Sequence, residues 1–292
     1  AHRITNQVYQ GLIKLDQSDL TILPSLAESW EINEDATSFT FHLRKGVKFH
    51  DNQCFEGGSG RELTAKDVKY CLDRICESAP ENQMYWLFKD RVKGANEYYQ
   101  STVDKTPLEN GVEGVKIIDD YTVQVELNYS FAGFLKILSH PAGWVYPKEA
   151  VDMYGIDMRI NAIGTGSFRV KTIKESETVI LERNPDYYEV DEHGNQLPYL
   201  DGIKFSFIKE KKAELLEFKK GNLDMVYRLP LEMIKDVVGE LDDAKKGGNK
   251  PYVMQVVPAM SVFYLGMQNK IAPFDNVDVR KAFNYAIDKN SI

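Results

Sequence analysis

The densest run of side chains with binding chemistry spans residues 37–52, TSFTFHLRKGVKFHDN. His42 and His50 could ligate a metal ion, and the arginine and two lysines between them could bind a phosphate. The same residues alternate between apolar and polar, which is typical of a strand with one buried face. We therefore predict a hairpin that turns at Lys45-Gly46, with its basic residues and both histidines solvated.

Elsewhere the sequence offers no catalytic or metal-binding pattern. It contains no HExxH, CxxC, GxSxG or phosphate-binding GxxxxGK[ST] motif, and its five histidines lack ligand spacing. The SxxK string at 206–209 falls in a predicted strand, where its serine and lysine would not share a helical face. We expect no catalytic residue, no metal and no cofactor. A glycosidase stays an alternative, because its paired carboxylates are set by distance in space and not by sequence spacing.

Composition narrows the class of partner. The chain has 292 residues, and its 36 basic and 44 acidic side chains give a net charge of −8. This balance argues against a nucleic-acid surface, and no apolar run reaches the ~20 residues that span a bilayer. Three cysteines do not make a disulfide framework, since Cys71 and Cys76 would point to different sides of a predicted helix.

The predicted secondary structure that would position these residues differs between the first and the second part of the chain. Thr64 followed by Asp67 predicts a helix start with a capping box, and VKIIDDYTVQVELN at 115–128 predicts two strands. After about residue 160, predicted strands alternate with predicted helices in the order 202–210, 211–222, 223–229, 231–241 and 252–259. This alternation predicts a mainly parallel sheet with helices packed on it. We therefore expect two domains, with a boundary near NAIGTGSF.

Two aromatic segments could line a ligand pocket: MYWLF at 84–88 and SVFYLGM at 261–267. Aromatic and apolar side chains are the usual lining of such pockets. For each segment taken alone, residue type favours packing inside a core over a place in a pocket wall.

Eight strings resemble, in order and in register, one known family. They are VYQGLIKLD, ILPSLAESWEINEDATSFTFHLRKGVKFHDN, LTAKDVKYCLDRI, GTGSFRV, LERNPDYY, GNQLPYLDGIKF, FKKGNLDM and APFDNVDVRKAFNYAID. The family is the extracellular solute-binding proteins of the oligopeptide/dipeptide class (family 5), the receptors of ABC importers. The sequence departs from the family where Ser167 replaces a proline, where Asn52 replaces a glycine, and where CFEGGSG at 54–60 lengthens a turn.

The resemblance implies a fold and a division of the chain. The fold would be α/β, a type II periplasmic-binding-protein-like lobe with an inserted α+β domain of hairpins and helices. Residues 1–10 would start lobe I and 11–160 would form the inserted domain. Residues 161–258 would form the body of lobe I, and 259–292 would cross into an incomplete second lobe.

In this arrangement residues 11–160 leave lobe I and return to it, so the strand near Val170 should share a sheet with Phe205.

The chain starts without Met or a signal peptide and stops in a helical pattern. We therefore expect a protein truncated at both ends. Because members of the family enclose a peptide between two lobes, this chain alone should bind peptides poorly.

The resemblance also implies a function without enzymatic activity. The protein would capture oligopeptides or dipeptides outside the inner membrane and deliver them to the permease subunits of an ABC transporter. Two lobes would close on an extended peptide, and hydrogen bonds to its backbone would supply the affinity. Tyr85, Trp86, Phe263 and Tyr264 are the expected pocket walls. A nickel chelate, haem or an oligosaccharide are the alternative ligands.

The same resemblance implies a location. The protein would work in the periplasm or on the extracellular face of the cell membrane. It would be a lipoprotein, held to the membrane only through a lipid anchor that this chain lacks.

Overall fold

The computed structural model describes residues 2–230, 232–235, 237–239, 252–256 and 264–288. The chain divides into two compact units, Ala1–Glu210 and Lys211–Ile292. Within the described ranges, every helix is too short or too polar to cross a membrane.

The first unit contains five helices and eleven strands among its described residues. The helices are α1 (His2–Val8), α2 (Ala65–Ile75), α3 (Ala95–Val103), α4 (Phe134–Leu138) and α5 (Lys148–Tyr154). The strands are β1 (Gln10–Gly11), β2 (Ile13–Leu15), β3 (Ile22–Pro24), β4 (Ala27–Ile32), β5 (Ser38–Leu43), β6 (Val115–Asp119), β7 (Thr122–Glu126), β8 (Trp144–Val145), β9 (Phe168–Lys174), β10 (Thr178–Arg183) and β11 (Gly202–Ser206). Short 3₁₀ turns lie at Glu56–Gly58, Tyr85–Leu87, Pro141–Gly143 and Gly155–Arg159.

The larger core of this unit packs on a four-stranded antiparallel sheet in the order β4-β5-β7-β6. The apolar residues of β5, which are Phe39, Phe41 and Leu43, are all buried in it. Their alternation therefore predicts the buried face of this strand correctly. β5, one of the two central strands of the sheet, thus contributes three large side chains to the core.

The hairpin predicted at Lys45-Gly46 is wrong, although the chain does turn at Gly46 with a φ of +75°. β5 pairs with β4 on one side and with β7 on the other, so both of its edges are already occupied. The chain that follows Gly46 forms a single antiparallel bridge instead, between Lys48 and Glu62.

Helix α2 begins as the sequence predicts. The Asp67 carboxylate accepts from the backbone N–H of Thr64 at 2.9 Å, and the two residues form a capping box. Arg61 donates to Asp67 Oδ1 at 2.6 Å and to Glu149 Oε1 of α5 at 2.6 Å. Its guanidinium also lies 5.3 Å from the ring centroid of Phe49. One arginine thus ties two helices to the core.

A smaller core surrounds Val8 of α1 and packs on an antiparallel sheet in the order β11-β10-β9. Phe168, Val179 and Leu181 are its other buried members. The strand with Val170 and the strand with Phe205 belong to this one sheet, which confirms the predicted sharing.

The predicted parallel sheet is wrong for the described residues, because the one predicted strand that forms among them, β11, pairs antiparallel with β10. The link between β9 and β10 is only three residues long, and a parallel pair needs a crossover of a dozen or more. The second unit contains helices α6 (Lys211–Lys219) and α7 (Val277–Ala286). Residues 223–229 and 252–256 form no strand there, and 257–259 lie outside the described residues.

The two cores are joined where the backbone returns past the end of α1. Gly166 N–H donates to the Val8 carbonyl oxygen at 2.9 Å. A Cβ on Gly164 would lie 2.1 Å from that oxygen, and one on Gly166 would lie 2.3 Å from the Gln7 carbonyl oxygen. Side-chain carbons do not approach other atoms so closely, so only glycine fits at both positions.

We expect Gly164→Ala to lower the free energy of unfolding by at least about 2 kcal/mol, because the new methyl group must push two backbone segments apart. Gly239→Ala is the matched control, since a Cβ there meets nothing within 4 Å. Urea unfolding of both variants is the measurement. Equal stability of Gly164→Ala and the unmodified protein would contradict this account of the crossing.

We expect Arg61→Ala to lower the free energy of unfolding by about 2–4 kcal/mol, because it leaves the nearly buried Asp67 carboxylate without its cation. Lys148→Ala is the control. It removes the pair of Lys148 with Asp152, whose side chains are both more than half exposed, and should cost less than about 1 kcal/mol. Thermal unfolding that ranks the two variants equally would show that Arg61 does not tie the helices together.

Candidate functional site

A short aromatic turn stands on the larger core and faces solvent with one side. Leu87 and Phe88 are buried at 2% and 0% exposure, whereas Trp86, beside them in the chain, is 58% exposed. Phe88 packs against Phe134 of α4 with ring centroids 6.0 Å apart. The tight 3₁₀ geometry of Tyr85–Leu87 separates neighbouring side chains by about a third of a turn, so one residue anchors while the next projects.

Tyr85 is fixed on this turn by two contacts. Its ring stacks on Tyr99 of α3, with centroids 3.9 Å apart and planes 4° from parallel. Its hydroxyl donates to Asn96 Oδ1 at 2.7 Å. Burial raises the pKa of Tyr85 to about 12, so the phenol stays neutral at pH 7. Since its proton is used by Asn96, the phenol oxygen can only accept from a solute.

Trp86 meets a residue that the sequence did not indicate. Its ring contacts His140 edge-to-face, with centroids 6.3 Å apart and planes at 76°. His140 Nδ1 accepts from the backbone N–H of Ala142 at 3.1 Å, so in the neutral ring the proton is on Nε2. No spacing in the sequence could have shown this pair, because the two residues are 54 positions apart and meet only through folding.

Two of the four predicted pocket residues therefore lie side by side, Tyr85 and Trp86. Tyr264 belongs to the Lys211–Ile292 unit and is 84% exposed. Phe263 lies outside the described residues. The aromatic turn is the part of the predicted set that has a defined geometry.

A second aromatic cluster lies where β1 pairs with β8. Tyr9 stacks on Trp144 at 5.8 Å and meets Tyr146 edge-to-face at 6.4 Å. The Arg74 guanidinium lies 5.9 Å from the Tyr146 ring centroid. Burial raises the pKa of Tyr9 and of Tyr146 well above the usual range, so both phenols are neutral. No sequence pattern indicates this cluster, because its members are scattered from residue 9 to residue 146.

A polar link fixes this cluster relative to the smaller core. The Gln10 amide donates to the hydroxyls of Tyr187 and Tyr188 at 3.2 and 3.0 Å, and its oxygen accepts from Thr165 at 3.0 Å. Lys14 pairs with Glu189 at 2.6 Å. These contacts join the start of the larger core to the segment after β10.

The histidines of the 37–52 segment do not meet as ligands. His42 lies 3.4 Å from Glu31 on the open face of the sheet. His50 is only 4% exposed, so the prediction that both rings are solvated is wrong for it. In the described part of the chain, no three histidine, cysteine or carboxylate side chains are grouped as metal ligands would be.

A glycosidase would need two facing carboxylates. Among the described residues with less than 9% exposure, Asp67 is the only acid, and it is bonded to Arg61 and to the Thr64 backbone. Its hydrogen bonds serve the start of α2. Cys54, Cys71 and Cys76 are free thiols in this structure.

Comparison with known proteins places the chain in a family. The sequence profile of the bacterial extracellular solute-binding proteins, family 5 Middle, matches residues 21–292. The chain is 27% identical to the glutathione-binding protein GsiB of Salmonella choleraesuis (strain SC-B67), over 99% of this chain and 48% of that protein. It therefore spans about half the length of the curated relatives it matches.

Solved structures show the same fold. The periplasmic oligopeptide-binding protein OppAIV of Borrelia burgdorferi matches 99% of this chain and 52% of its own, with a TM-score of 0.74 and 24% identity. Haemophilus influenzae OppA, solved in complex with RPPGFSPFR, matches 98% of this chain and 51% of its own, with a TM-score of 0.69 and 25% identity. These neighbours confirm the predicted type II periplasmic-binding-protein fold with mixed helix and sheet content. The chain belongs to the bacterial extracellular solute-binding proteins of family 5.

Proposed function

We propose that this protein captures oligopeptides or dipeptides outside the inner membrane and hands them to the permease subunits of an ABC importer, without enzymatic activity. It would act in the periplasm or at the extracellular face, held to the membrane by a lipid anchor. Tyr85, Trp86, Phe263 and Tyr264 are its proposed ligand contacts. The two cores support a further proposal, that residues 11–160 are a domain inserted into lobe I (1–10 and 161–258), with 259–292 crossing to a second lobe.

The observation that carries the proposal is an exposed aromatic turn whose base is buried in the core. Trp86 presents more than half of its surface to solvent, while Leu87 and Phe88 hold the turn in the core. An exposed tryptophan costs free energy in water unless something covers it, and a fixed ring covers a ligand at small entropic cost. The turn is therefore suited to binding.

The chemistry of this turn fits a peptide of variable sequence. The indole face of Trp86 can pack on an aliphatic or planar group of any side chain, and such a contact carries little selectivity. The Tyr85 oxygen, whose proton is bonded to Asn96, can accept from a peptide N–H or an α-ammonium group. Backbone hydrogen bonds along an extended ligand would then supply the affinity irrespective of side chains.

The relatives support a peptide ligand and add one specific candidate. GsiB is named as a glutathione-binding protein, and glutathione is itself a tripeptide. The Helicobacter pylori neighbour DppA was solved with the peptide STSA, and the Pseudoalteromonas neighbour with Met-Leu. Other neighbours were solved with agropinic or mannopinic acid, so opines belong in any test of specificity.

We expect the natural full-length protein to bind peptides with Kd values in the micromolar range, about −8 kcal/mol. Calorimetry with a pool of tri- to pentapeptides, with dipeptides and with glutathione in separate runs is the measurement. Mannopinic acid, a nickel chelate, haem and an oligosaccharide are the comparison ligands. Heat from one of these comparison ligands with none from any peptide would overturn the proposal, as would hydrolysis of a model glycoside.

In the same full-length protein, we expect Trp86→Ala to weaken peptide binding by about 5- to 30-fold, the usual effect of truncating an aromatic ligand contact. It should change the free energy of unfolding by less than about 1 kcal/mol, because most of the side chain is already in water. Leu87→Ala should instead act mainly on stability and lower the free energy of unfolding by about 2–5 kcal/mol, because this side chain is buried in the core.

Tyr129→Ala is the matched control for an exposed aromatic residue outside the turn, and its affinity should equal that of the unmodified protein. Affinity comes from calorimetry and stability from urea unfolding of the same preparations. Unchanged affinity of Trp86→Ala would remove the aromatic turn from the binding surface.

A further inference from the structure

His50 is a buried polar side chain at the crossing between the two cores. Its backbone N–H donates to the Gly164 carbonyl oxygen at 2.8 Å. Its ring Nε2 lies 2.8 Å from the Gly166 carbonyl oxygen, and the Gly164 N–H points at ring Nδ1 from 3.4 Å. One residue therefore contacts three backbone groups of the returning segment.

These contacts fix the protonation state of the ring. Because Nε2 faces a carbonyl oxygen, it must carry a proton, and Nδ1 must then be the acceptor for the Gly164 N–H. A second proton, on Nδ1, would place two N–H groups against each other. The ring is also only 4% exposed, so water cannot solvate the added charge. The site accepts neutral histidine and disfavours the cation.

The charged groups around His50 do not rescue the cation. Asp51 favours it and Arg169 of β9 opposes it, and these two side chains also lie 3.8 Å from each other. Burial outweighs both and lowers the pKa of His50 to about 4. Asp51, the acid that favours the cation, therefore already faces the arginine that opposes it.

Opening of the returning segment 164–166 would also break contacts that do not involve His50. The Gly166 carbonyl oxygen also accepts from Asn184 Nδ2 at 3.0 Å, and Thr165 between the two glycines donates to Gln10. Gly166 N–H in turn holds the Val8 carbonyl oxygen. The returning segment is therefore the common partner of both cores.

We propose that His50 is an acid-sensitive pin: neutral, it fixes the return segment 164–166, and protonated, it lets this segment open while each core stays folded. The opening would uncouple the larger core from the sheet of β9, β10 and β11 at acidic pH. This inference concerns the hinge between the cores and does not depend on which solute the protein binds.

The sign of the pH dependence follows from the two states. In the open segment, His50 would titrate near its ordinary pKa of 6.5, and in the closed segment near 4. The open state therefore binds more protons between these values, and opening becomes easier as pH falls from about 6.5 to 4. Between pH 7 and pH 4.5 the opening constant should rise by about 50-fold.

The test is amide hydrogen exchange at Gly164 and Gly166, corrected for the intrinsic pH dependence of exchange, with Val123 in β7 as the reference amide of the core. In the unmodified protein, the opening constant of both glycines should rise by about 50-fold from pH 7 to pH 4.5, while Val123 stays protected. His50→Gln should abolish the rise, because its amide can donate to Gly166 and accept from Gly164 but does not titrate.

His42→Gln is the matched control, since it removes a partly exposed histidine outside the crossing and should leave the rise intact. An NMR titration of the His50 ring in the unmodified protein gives a second readout if His50→Gln does not fold. A midpoint near 4, with glycine opening that rises as the ring becomes protonated, would support the proposal. An acid rise that persists in His50→Gln, no rise in the unmodified protein, or a His50 midpoint above 6 would overturn it.

Discussion

The first unit depends on a close approach between two backbone segments. The end of α1 and the returning segment at 164–166 touch through backbone atoms, with no side chain between them. Contact at this distance admits only glycine at Gly164 and Gly166, and it places Val8 and Phe168 in one small core. The larger core is thereby held at two points of the chain, where β1 leaves and where β9 returns. This crossing, together with the contacts of Gln10 and Lys14 to the segment after β10, sets its position relative to the smaller sheet.

That constraint explains why the polar residues near the crossing are buried and bonded. A backbone N–H or carbonyl oxygen that is removed from water must find a partner, or it costs about 1–3 kcal/mol. His50 and Asn184 supply partners for the returning segment, and Gln10 links its threonine to two tyrosines. His50 is therefore buried because two backbone segments of the chain cross there, away from water. Its chemistry, one donor and one acceptor on a rigid ring, matches what the segment offers.

Local patterns in the sequence predicted local structure well. The alternation in β5 gave the buried face of that strand, and the Thr64–Asp67 spacing gave the start of α2. The identity of partner strands was not local information. Alternation says which face of a strand is buried but not which strand lies beside it, so the hairpin at Lys45-Gly46 was wrong. The antiparallel pair of β9 and β10 does have a local signal, because FRVKTIKESETVILER alternates on both sides of a short polar turn.

The candidate site also depends on contacts that form only on folding and that the local sequence does not specify. The family resemblance singles out Tyr85 and Trp86, but it does not show that Tyr85 stacks one ring face on Tyr99 and donates its proton to Asn96. Those internal contacts decide what remains for a ligand, which is one acceptor oxygen and the indole of Trp86 beside His140. Under the proposed function, such a surface would hold a solute without close contacts to its individual side chains. A receptor that must accept many peptides needs its rigidity in the protein and its hydrogen bonds on the ligand backbone. A turn anchored by Leu87 and Phe88 meets the first of these requirements.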